Sequence, residues 1–135
     1  SVANTWDATT NKNILSLHPN VQAPATAFIN DAAQQGMNLR IYFGYRSVDQ
    51  QNALYNAGKT PAKGGHSYHN YGLAIDLVQI SNKKALWKNQ NWSQIGALGM
   101  KHGFGWGGDW ASRDMVHFQM PFGLSIKDLL SGKRP

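Results

Sequence analysis

Apolar residues recur at helical spacing in two long stretches of the chain. In residues 19–35 the apolar positions are separated by three or four residues, and Gly36 then supplies a C-terminal stop. A second stretch of this kind covers residues 91–102 and is followed by Gly103. The pattern therefore predicts two amphipathic helices, each ended by a glycine.

Alternating and continuous apolar runs predict three strands. Residues 39–43 alternate between apolar and more polar side chains, which is typical of a half-buried strand. Residues 73–78 form an almost continuous apolar run, interrupted only by Asp76, and this favours a buried strand. A third, short strand is expected over residues 116–119.

Two further helices are predicted from capping patterns. Ser47 is followed three residues later by Gln50, the spacing of a capping box, so we expect a helix over residues 48–57. Ser125 stands in the same relation to Asp128 and is expected to cap a last helix. The first of these helices begins directly after the strand at residues 39–43.

The order of these elements predicts an α+β fold. Helices and strands follow one another in a single compact domain, with a small, mainly antiparallel sheet and flanking helices. Residues 1–19 are polar and rich in Asn and Thr, and we expect an N-terminal arm that packs loosely on a domain of residues 20–135. Residues 59–65 and 104–110 are expected to be loops.

Composition and charge limit the classes of molecule that the protein could bind. The chain has 135 residues, of which 41% are hydrophobic and 15% charged, as in an ordinary globular domain. Its net charge is +6, which favours polyanionic surroundings such as nucleic acid, anionic lipid or an anionic cell wall. Only Lys83 with Lys84 and Lys133 with Arg134 are adjacent, and no basic helix interleaved with aromatic residues is present. We therefore expect no nucleic-acid partner.

The acidic residues and the missing cysteines limit the possible chemistry. All seven carboxylates are Asp, and Cys is absent, so disulfides are excluded and a metal must take nitrogen and oxygen ligands. No run approaches the roughly 20 apolar residues of a membrane span. The chain shows no signal peptide and begins at Ser1 rather than Met, so we expect that an N-terminal segment was removed or replaced.

Asp76 is the strongest single indication of a functional site. An ionised carboxylate in an apolar strand is unfavourable unless it is paired or binds a metal. His69 precedes it by seven residues, and with His117 the three side chains could hold one divalent metal. The alternative is a buried Asp that caps a loop or pairs with an arginine. His66 is a competing ligand, ranked lower because it lies in a loop.

Asp114 is the candidate general base. It precedes His117 by three residues, so in an extended segment the two side chains would point to opposite faces. We therefore expect the chain to turn at Met115, which would bring both toward one metal. The required group is a carboxylate within reach of the water, not a further ligand. The alternative is a surface Asp paired with Arg113.

Arg46 and Gln51 follow the first strand and complete the set of candidates. Arg46 at the strand end could bind a substrate carboxylate or stabilise an oxyanion, and Gln51 could hydrogen-bond the same region. The alternatives are a solvated salt bridge for Arg46 and a plain helix surface for Gln51. His18 and His102 are expected to have structural or surface roles.

These residues together resemble the zinc peptidases of the D-alanyl-D-alanine carboxypeptidase and dipeptidase superfamily, peptidase family M15. The segment that matches the first family signature is Ser67-x-His69-x-x-Gly72-x-Ala74-x-Asp76. Asp114-x-x-His117 matches the second signature, and Arg46 followed by Gln51 matches the segment upstream. The likeness covers residues 20–120, which is most of the chain.

Within that superfamily the chain is most similar to the L-alanyl-D-glutamate endopeptidases of phage endolysins and bacterial cell-wall hydrolases. The grounds are Asp rather than Glu at Asp114, Phe118 after the last histidine, and the Gly/Trp loop at residues 106–110. No separate wall-binding domain is visible in the sequence, which departs from endolysins that carry one.

The resemblance implies a role for each candidate. It implies one Zn²⁺ per chain, bound by three protein ligands, namely His69, Asp76 and His117. It assigns Asp114 as general base, Arg46 to the developing oxyanion, and Gln51 and Ser67 to substrate binding. Activity is then expected to fall at acid pH, as the histidines protonate and release metal.

The function that this resemblance implies is hydrolysis of the L-Ala–D-Glu bond in the stem peptide of bacterial peptidoglycan, and hence antimicrobial cell-wall lysis. The protein would act as a monomer in the cell wall or periplasm, secreted or released by phage lysis. A D,D- or L,D-carboxypeptidase acting on the same stem is the alternative enzyme. A Hedgehog-like zinc-containing binding domain is the alternative outside enzymes, against which Arg46 and Asp114 argue.

Overall fold

The computed structural model describes residues 3–135 and contains a five-stranded antiparallel sheet. The strands are β1 (Leu39–Phe43), β2 (Ala74–Ser81), β3 (Lys84–Ala85), β4 (Gly105–Trp106) and β5 (His117–Gln119). Four of them lie in the order β1-β2-β5-β4, and β3 forms a hairpin with the end of β2. The predicted small antiparallel sheet is confirmed, whereas the two-residue strands β3 and β4 were not predicted.

The helices are α1 (Ala8–Leu15), α2 (Pro19–Gln34), α3 (Val48–Asn56), α4 (Trp92–Lys101) and α5 (Ile126–Leu130). The predictions for α2 to α5 are confirmed to within a few residues. Both predicted capping boxes are present, from Ser47 with Gln50 and from Ser125 with Asp128. Gly36 and Gly103 follow α2 and α4 with positive φ, as a helix stop requires.

Helix α1 corrects the expectation of a loosely packed arm. Its N-cap Asp7 accepts a hydrogen bond from the backbone N–H of Thr10, and its carboxylate pairs with Arg40 of β1 at 2.9 Å. Ile14 and Leu17 are buried in the core. Residues 8–17 therefore pack as part of the fold, and the division of the chain at residue 19 remains a prediction.

The alternation of β2 and β5 separates a core face from a site face. Strand β2 is central and its first six residues are buried, which explains its nearly continuous apolar run. Ile75 pairs with Phe118 toward the core, where Phe118 lies 5.1 Å from the ring of Phe28 in α2. Asp76 pairs with His117 on the opposite face. The register thus places a carboxylate directly across from an imidazole.

Within residues 3–135, none of the helices has the length and hydropathy needed to cross a membrane.

Candidate metal centre

Three side chains from separate elements meet on the site face of the sheet. Asp76 comes from β2, His117 from β5, and His69 from a 3₁₀ helix at Tyr68–Tyr71. His69 Nε2 and His117 Nδ1 each lie 3.2 Å from Asp76 Oδ1, and all three residues are buried. Their donor atoms lie within 4.8 Å of one another. The structure thus brings the three predicted ligands together.

The 3₁₀ helix that carries His69 is fixed at both ends. Ser67 caps it, because its hydroxyl accepts a hydrogen bond from the backbone N–H of His69 at 3.2 Å. Gly72 ends it with φ of +69°, a left-handed conformation that favours glycine. A Cβ at Gly72 would lie 2.5 Å from the backbone nitrogen of His18. The residue is therefore small because it packs on residues 17–18.

The outer nitrogen of each imidazole is held by a hydrogen-bond acceptor. His69 Nδ1 lies 2.8 Å from the backbone carbonyl oxygen of Gly44, and His117 Nε2 lies 2.9 Å from Gln119 Oε1. An oxygen acceptor requires an N–H partner, so in the neutral rings His69 Nε2 and His117 Nδ1 carry lone pairs. Both lone pairs face Asp76 Oδ1. Three electron-rich atoms around one point fit a cation, and this donor set suits zinc.

Arg46 binds the second oxygen of the central carboxylate. Its Nη2 donates to Asp76 Oδ2 at 2.9 Å, and its guanidinium lies 4.2 Å from the ring centre of Phe43. Asp76 therefore has the arginine partner that the alternative explanation of its burial required, and its role as a metal ligand stays a prediction. Burial alone would raise the pKa of Asp76, but when the two rings are protonated, hydrogen bonds and charge from His117 and His69 hold it well below its usual range.

Gln51 is fully buried behind Arg46. Its Oε1 accepts a 3.3 Å hydrogen bond from Arg46 Nη1, and its Nε2 donates to the carbonyl oxygen of Ala62 at 2.8 Å and to Thr60 Oγ1 at 3.4 Å. The side chain has no surface to offer a ligand. Its contacts fit a role in positioning Arg46 and residues 60–62 better than the direct substrate contact that the resemblance implies.

Asp114 lies in the turn that the sequence predicted. The backbone N–H of His117 donates to the carbonyl oxygen of Asp114 at 3.2 Å, and Trp106 Nε1 holds the carbonyl oxygen of Met115 at 2.8 Å. Asp114 is exposed, and within residues 3–135 it has no ion pair shorter than 4.0 Å, with Arg113 or any other residue. Partial desolvation in the cleft and the charge of Asp76 raise its pKa.

A cleft of about 800 Å³ opens over this cluster. The predicted site residues that line it are Arg46, Ser67, His69, Asp76, Asp114 and His117. Aromatic side chains form part of the wall, and the ring of Trp110 lies 5.2 Å from that of His117. His66 is exposed at the cleft and is not part of the ligand cluster, in agreement with its lower rank.

Two residues that hold the site were not singled out from the sequence. Gln119 lies two residues after His117, so both side chains point to the same face of β5, and this spacing was the available signal. Asn70 accepts hydrogen bonds from the backbone N–H groups of Gly65 and Ser67 and donates to the carbonyl oxygen of Arg46 at 3.0 Å. Nothing in its local pattern predicts these contacts.

The remaining histidines have the structural roles that were expected. His18 Nδ1 accepts a hydrogen bond from the backbone N–H of Asn20 at 3.1 Å and so caps α2. His102 Nε2 lies 2.8 Å from a carboxylate oxygen of Asp31.

Comparison with known proteins finds related peptidases. The sequence profile of a peptidase family described as D-alanyl-D-alanine carboxypeptidase matches residues 60–120. The peptidoglycan L-alanyl-D-glutamate endopeptidase CwlK of Bacillus subtilis (strain 168) is 38% identical, over 77% of this chain and 73% of CwlK. The L-alanyl-D-glutamate peptidase of Listeria phage A118 is 30% identical, over 82% of this chain and 40% of the phage protein.

Solved structures show the same fold. The L-Ala D-Glu endopeptidase ChiX of Serratia marcescens superposes with a TM-score of 0.69 at 23% identity, covering 89% of this chain and 92% of ChiX. VanYB in complex with D-alanine-D-alanine superposes with a TM-score of 0.60 at 16% identity, covering 87% of this chain and 84% of VanYB. The predicted D-Ala-D-Ala-peptidase-like fold is thereby confirmed. The chain therefore belongs to peptidase family M15, whose profile is described as D-alanyl-D-alanine carboxypeptidase.

Proposed function

We propose that the protein is a zinc peptidase that hydrolyses the bond between L-Ala and D-Glu in the stem peptide of bacterial peptidoglycan. The observation that carries the proposal is the convergence of His69, Asp76 and His117 beside Asp114 in one cleft, where the Asp114 carboxylate has no ion pair within residues 3–135. The choice of bond is supported by CwlK and the phage A118 protein, whose names both state this specificity.

The proposed zinc ligands are His69 Nε2, Asp76 Oδ1 and His117 Nδ1, which would hold one Zn²⁺ per chain. A VanY structure with this fold was solved in complex with Zn(II). Zinc bound by three protein ligands supplies a Lewis acid and lowers the pKa of a bound water toward about 7.

The chain's own residues would move the protons and bind the developing charge. Asp114 would accept the proton of the attacking water and deliver it to the leaving amine, a task that requires an ionised carboxylate. Each terminal nitrogen of Arg46 carries two N–H groups. One N–H of Nη1 donates to Gln51 and one N–H of Nη2 donates to Asp76. The second N–H of each nitrogen would then donate to the oxyanion.

Ser67 and Gln51 are proposed to support substrate binding in different ways. The hydroxyl of Ser67 lines the cleft and accepts from the backbone of His69, so its own O–H is available to a substrate oxygen. Gln51 acts through Arg46 and is a positioning residue.

The proposed place of action is the cell wall or periplasm, reached by secretion or by phage lysis, with the protein acting as a monomer. The net charge of +6 supports association with an anionic wall.

Metal analysis joined to product mapping on purified peptidoglycan tests the proposal. We expect one zinc per chain, and mass spectrometry should show new L-Ala carboxyl ends and D-Glu amino ends. Release of single D-Ala would instead identify a D,D- or L,D-carboxypeptidase. Bound zinc without any cleavage would favour the Hedgehog-like binding domain.

A further inference from the structure

Lys59 supplies a free positive charge at the cleft. Among the described residues that line the cleft, Arg46 and Lys59 are the only arginine and lysine. Arg46 is buried and paired with Asp76, whereas Lys59 is exposed and has no ion pair within 4.0 Å in residues 3–135. His66 also lines the cleft, but an imidazole carries charge only when protonated. Among the described residues that line the cleft, Lys59 is therefore the lysine or arginine without a carboxylate partner.

The backbone at Lys59 is held in place by the end of α3. The N–H of Lys59 donates to the carbonyl oxygen of Leu54 at 2.9 Å, and the N–H of Gly58 donates to that of Tyr55 at 3.0 Å. Gly58 has φ of +70°, so the segment is a Schellman motif, which needs a left-handed residue at this position. Lys59, which lines the cleft, is thus attached to a fixed stretch of backbone.

The segment after Lys59 is joined to the catalytic arginine. Gln51 donates to Thr60 and Ala62 with its amide nitrogen and accepts from Arg46 with its amide oxygen. One buried side chain therefore contacts both Arg46 and two of the residues that directly follow Lys59. Lys59 and Arg46 line the same cleft, so one substrate can reach both side chains.

The proposed substrate offers such a group. A glutamate joined to the next residue of the stem through one carboxyl keeps the other, which is either a free carboxylate or an amide. We propose that Lys59 binds this free carboxylate on the D-Glu beside the scissile bond, so that the protein prefers stem peptides with glutamate over those in which this carboxyl is amidated. The inference rests on the proposed function and names its substrate class.

Kinetics with a matched pair of substrates test this inference. Two synthetic stem peptides, identical except for a carboxylate or a carboxamide at this position, are digested by the wild-type protein and by Lys59→Met, Lys59→Arg and Lys63→Met. Lys63 is an exposed lysine of the same loop that does not line the cleft, so its variant is the control for lost surface charge.

We expect the wild type and Lys63→Met to cleave the carboxylate substrate with a kcat/KM about tenfold higher than for the carboxamide substrate. The difference should lie mainly in a higher KM for the carboxamide. Lys59→Met should lower kcat/KM about tenfold for the carboxylate substrate only, and Lys59→Arg should restore most of the preference. Equal rates on both substrates in the wild type, or an equal loss on both in Lys59→Met, would overturn this inference alone. Failure of the wild type to cleave either peptide would overturn the proposed function itself.

Discussion

Asp76 uses its two carboxylate oxygens for different purposes. Oδ1 faces the two imidazoles, whereas Oδ2 accepts the hydrogen bond from Arg46. The same division holds for both histidines, since each has one nitrogen directed inward and one bound to an oxygen of the protein. Every proposed ligand is thus oriented by a neighbour before any metal binds, which lowers the entropic cost of binding one.

Replacing the general base should abolish catalysis without removing metal. Asp114→Asn keeps the size of the side chain but cannot accept the proton, so we expect kcat to fall by roughly 10²- to 10⁴-fold. Zinc content and thermal unfolding should match the wild type, because Asp114 is exposed and is not a proposed ligand. Asp109→Asn, at an exposed residue outside the cleft, is the control. Undiminished lysis by Asp114→Asn would refute the assignment.

Gln119 should matter for metal affinity although it is not a proposed ligand. Gln119→Leu removes the acceptor that fixes the tautomer of His117, and we expect zinc affinity to weaken about 10- to 100-fold. Gln119→Glu keeps an acceptor and should retain most of the affinity. Competition with a chromophoric chelator measures both. Equal zinc affinity in the wild type and in Gln119→Leu would contradict the positioning role.

Zinc affinity should also depend on pH in a defined direction. Burial alone would lower the pKa of His117, but the hydrogen bond and charge of Asp76, with Gln119 and Asp114, raise it above 6.5. The metal-free ring therefore keeps its proton to higher pH than an ordinary histidine. Zinc must displace that proton, so below the raised pKa the affinity should fall by about tenfold for each pH unit. An affinity that stays constant from pH 8 to pH 5 would contradict this.

At the scale of elements, α1 depends on one carboxylate. Asp7 is buried, caps the helix and binds Arg40 through two hydrogen bonds of 2.9 Å. Asp7→Ala loses both functions, and we expect the free energy of unfolding to drop by about 2–4 kcal/mol. Asp7→Asn keeps a capping oxygen and should lose about half of that. Urea unfolding measures both, and equal losses would show that the cap contributes nothing.

The stabilisation from Asp7 should disappear in acid. Burial would raise its pKa, but hydrogen bonds from Arg40 and Thr10 lower it below 3.8 in the folded protein. A lowered folded pKa means that the stabilisation is fully present above the unfolded value and is lost as the pH falls through the folded value. The difference in stability between the wild type and Asp7→Asn should therefore shrink below about pH 4.

The helices and strands that were predicted each carry a recognisable local sequence pattern, whereas α1, β3 and β4 do not. Helices α3 and α5 begin at capping boxes, and β2 is a continuous apolar run. Helix α1 is mostly polar, with only Thr10 and Ile14 buried within it, so no apolar period marks it. Strands β3 and β4 have two residues each and exist because β2 and β5 provide partners. Their formation depends on tertiary pairing that a local pattern cannot report.

At the scale of the whole molecule, α4 is connected to the site through one tryptophan. Gly96 of α4 packs directly against the ring of Trp106. Trp106 in turn donates from Nε1 to the carbonyl oxygen of Met115, in the turn that carries Asp114. Helix α4 thus contacts, through Trp106, the turn that carries the proposed base.

A methyl group at Gly96 should therefore affect both stability and activity. In Gly96→Ala the helix gains up to about 1 kcal/mol in propensity, but the new Cβ overlaps the Trp106 ring, and such overpacking costs about 1–3 kcal/mol. We expect a net loss of stability and a lower kcat with zinc still bound. Ser93→Ala, on the exposed side of α4, gains propensity without the overlap and is the control. Unchanged kcat in Gly96→Ala would rule out the connection.

The sequence predicted the residues that carry the proposed chemistry, but it predicted fewer of the residues that hold them in place. His69, Asp76, His117 and Asp114 stand out because polar groups interrupt apolar or glycine-rich segments. Gln119 and Lys59 look like ordinary strand and loop residues, and their place at the cleft depends on tertiary packing. Support of this kind depends on three-dimensional neighbours rather than on spacing along the chain.

The pairing of Trp110 with His117 gives the protein a built-in optical reporter. The indole is 42% exposed and lies 5.2 Å from the imidazole, so its emission should change when a metal binds that ring. A paramagnetic ion such as Cu²⁺ or Co²⁺ placed in the same cluster would quench it, and displacement by Zn²⁺ would restore the light. Occupancy of the centre could then be followed in real time during wall digestion, with no label attached to the protein or to the substrate.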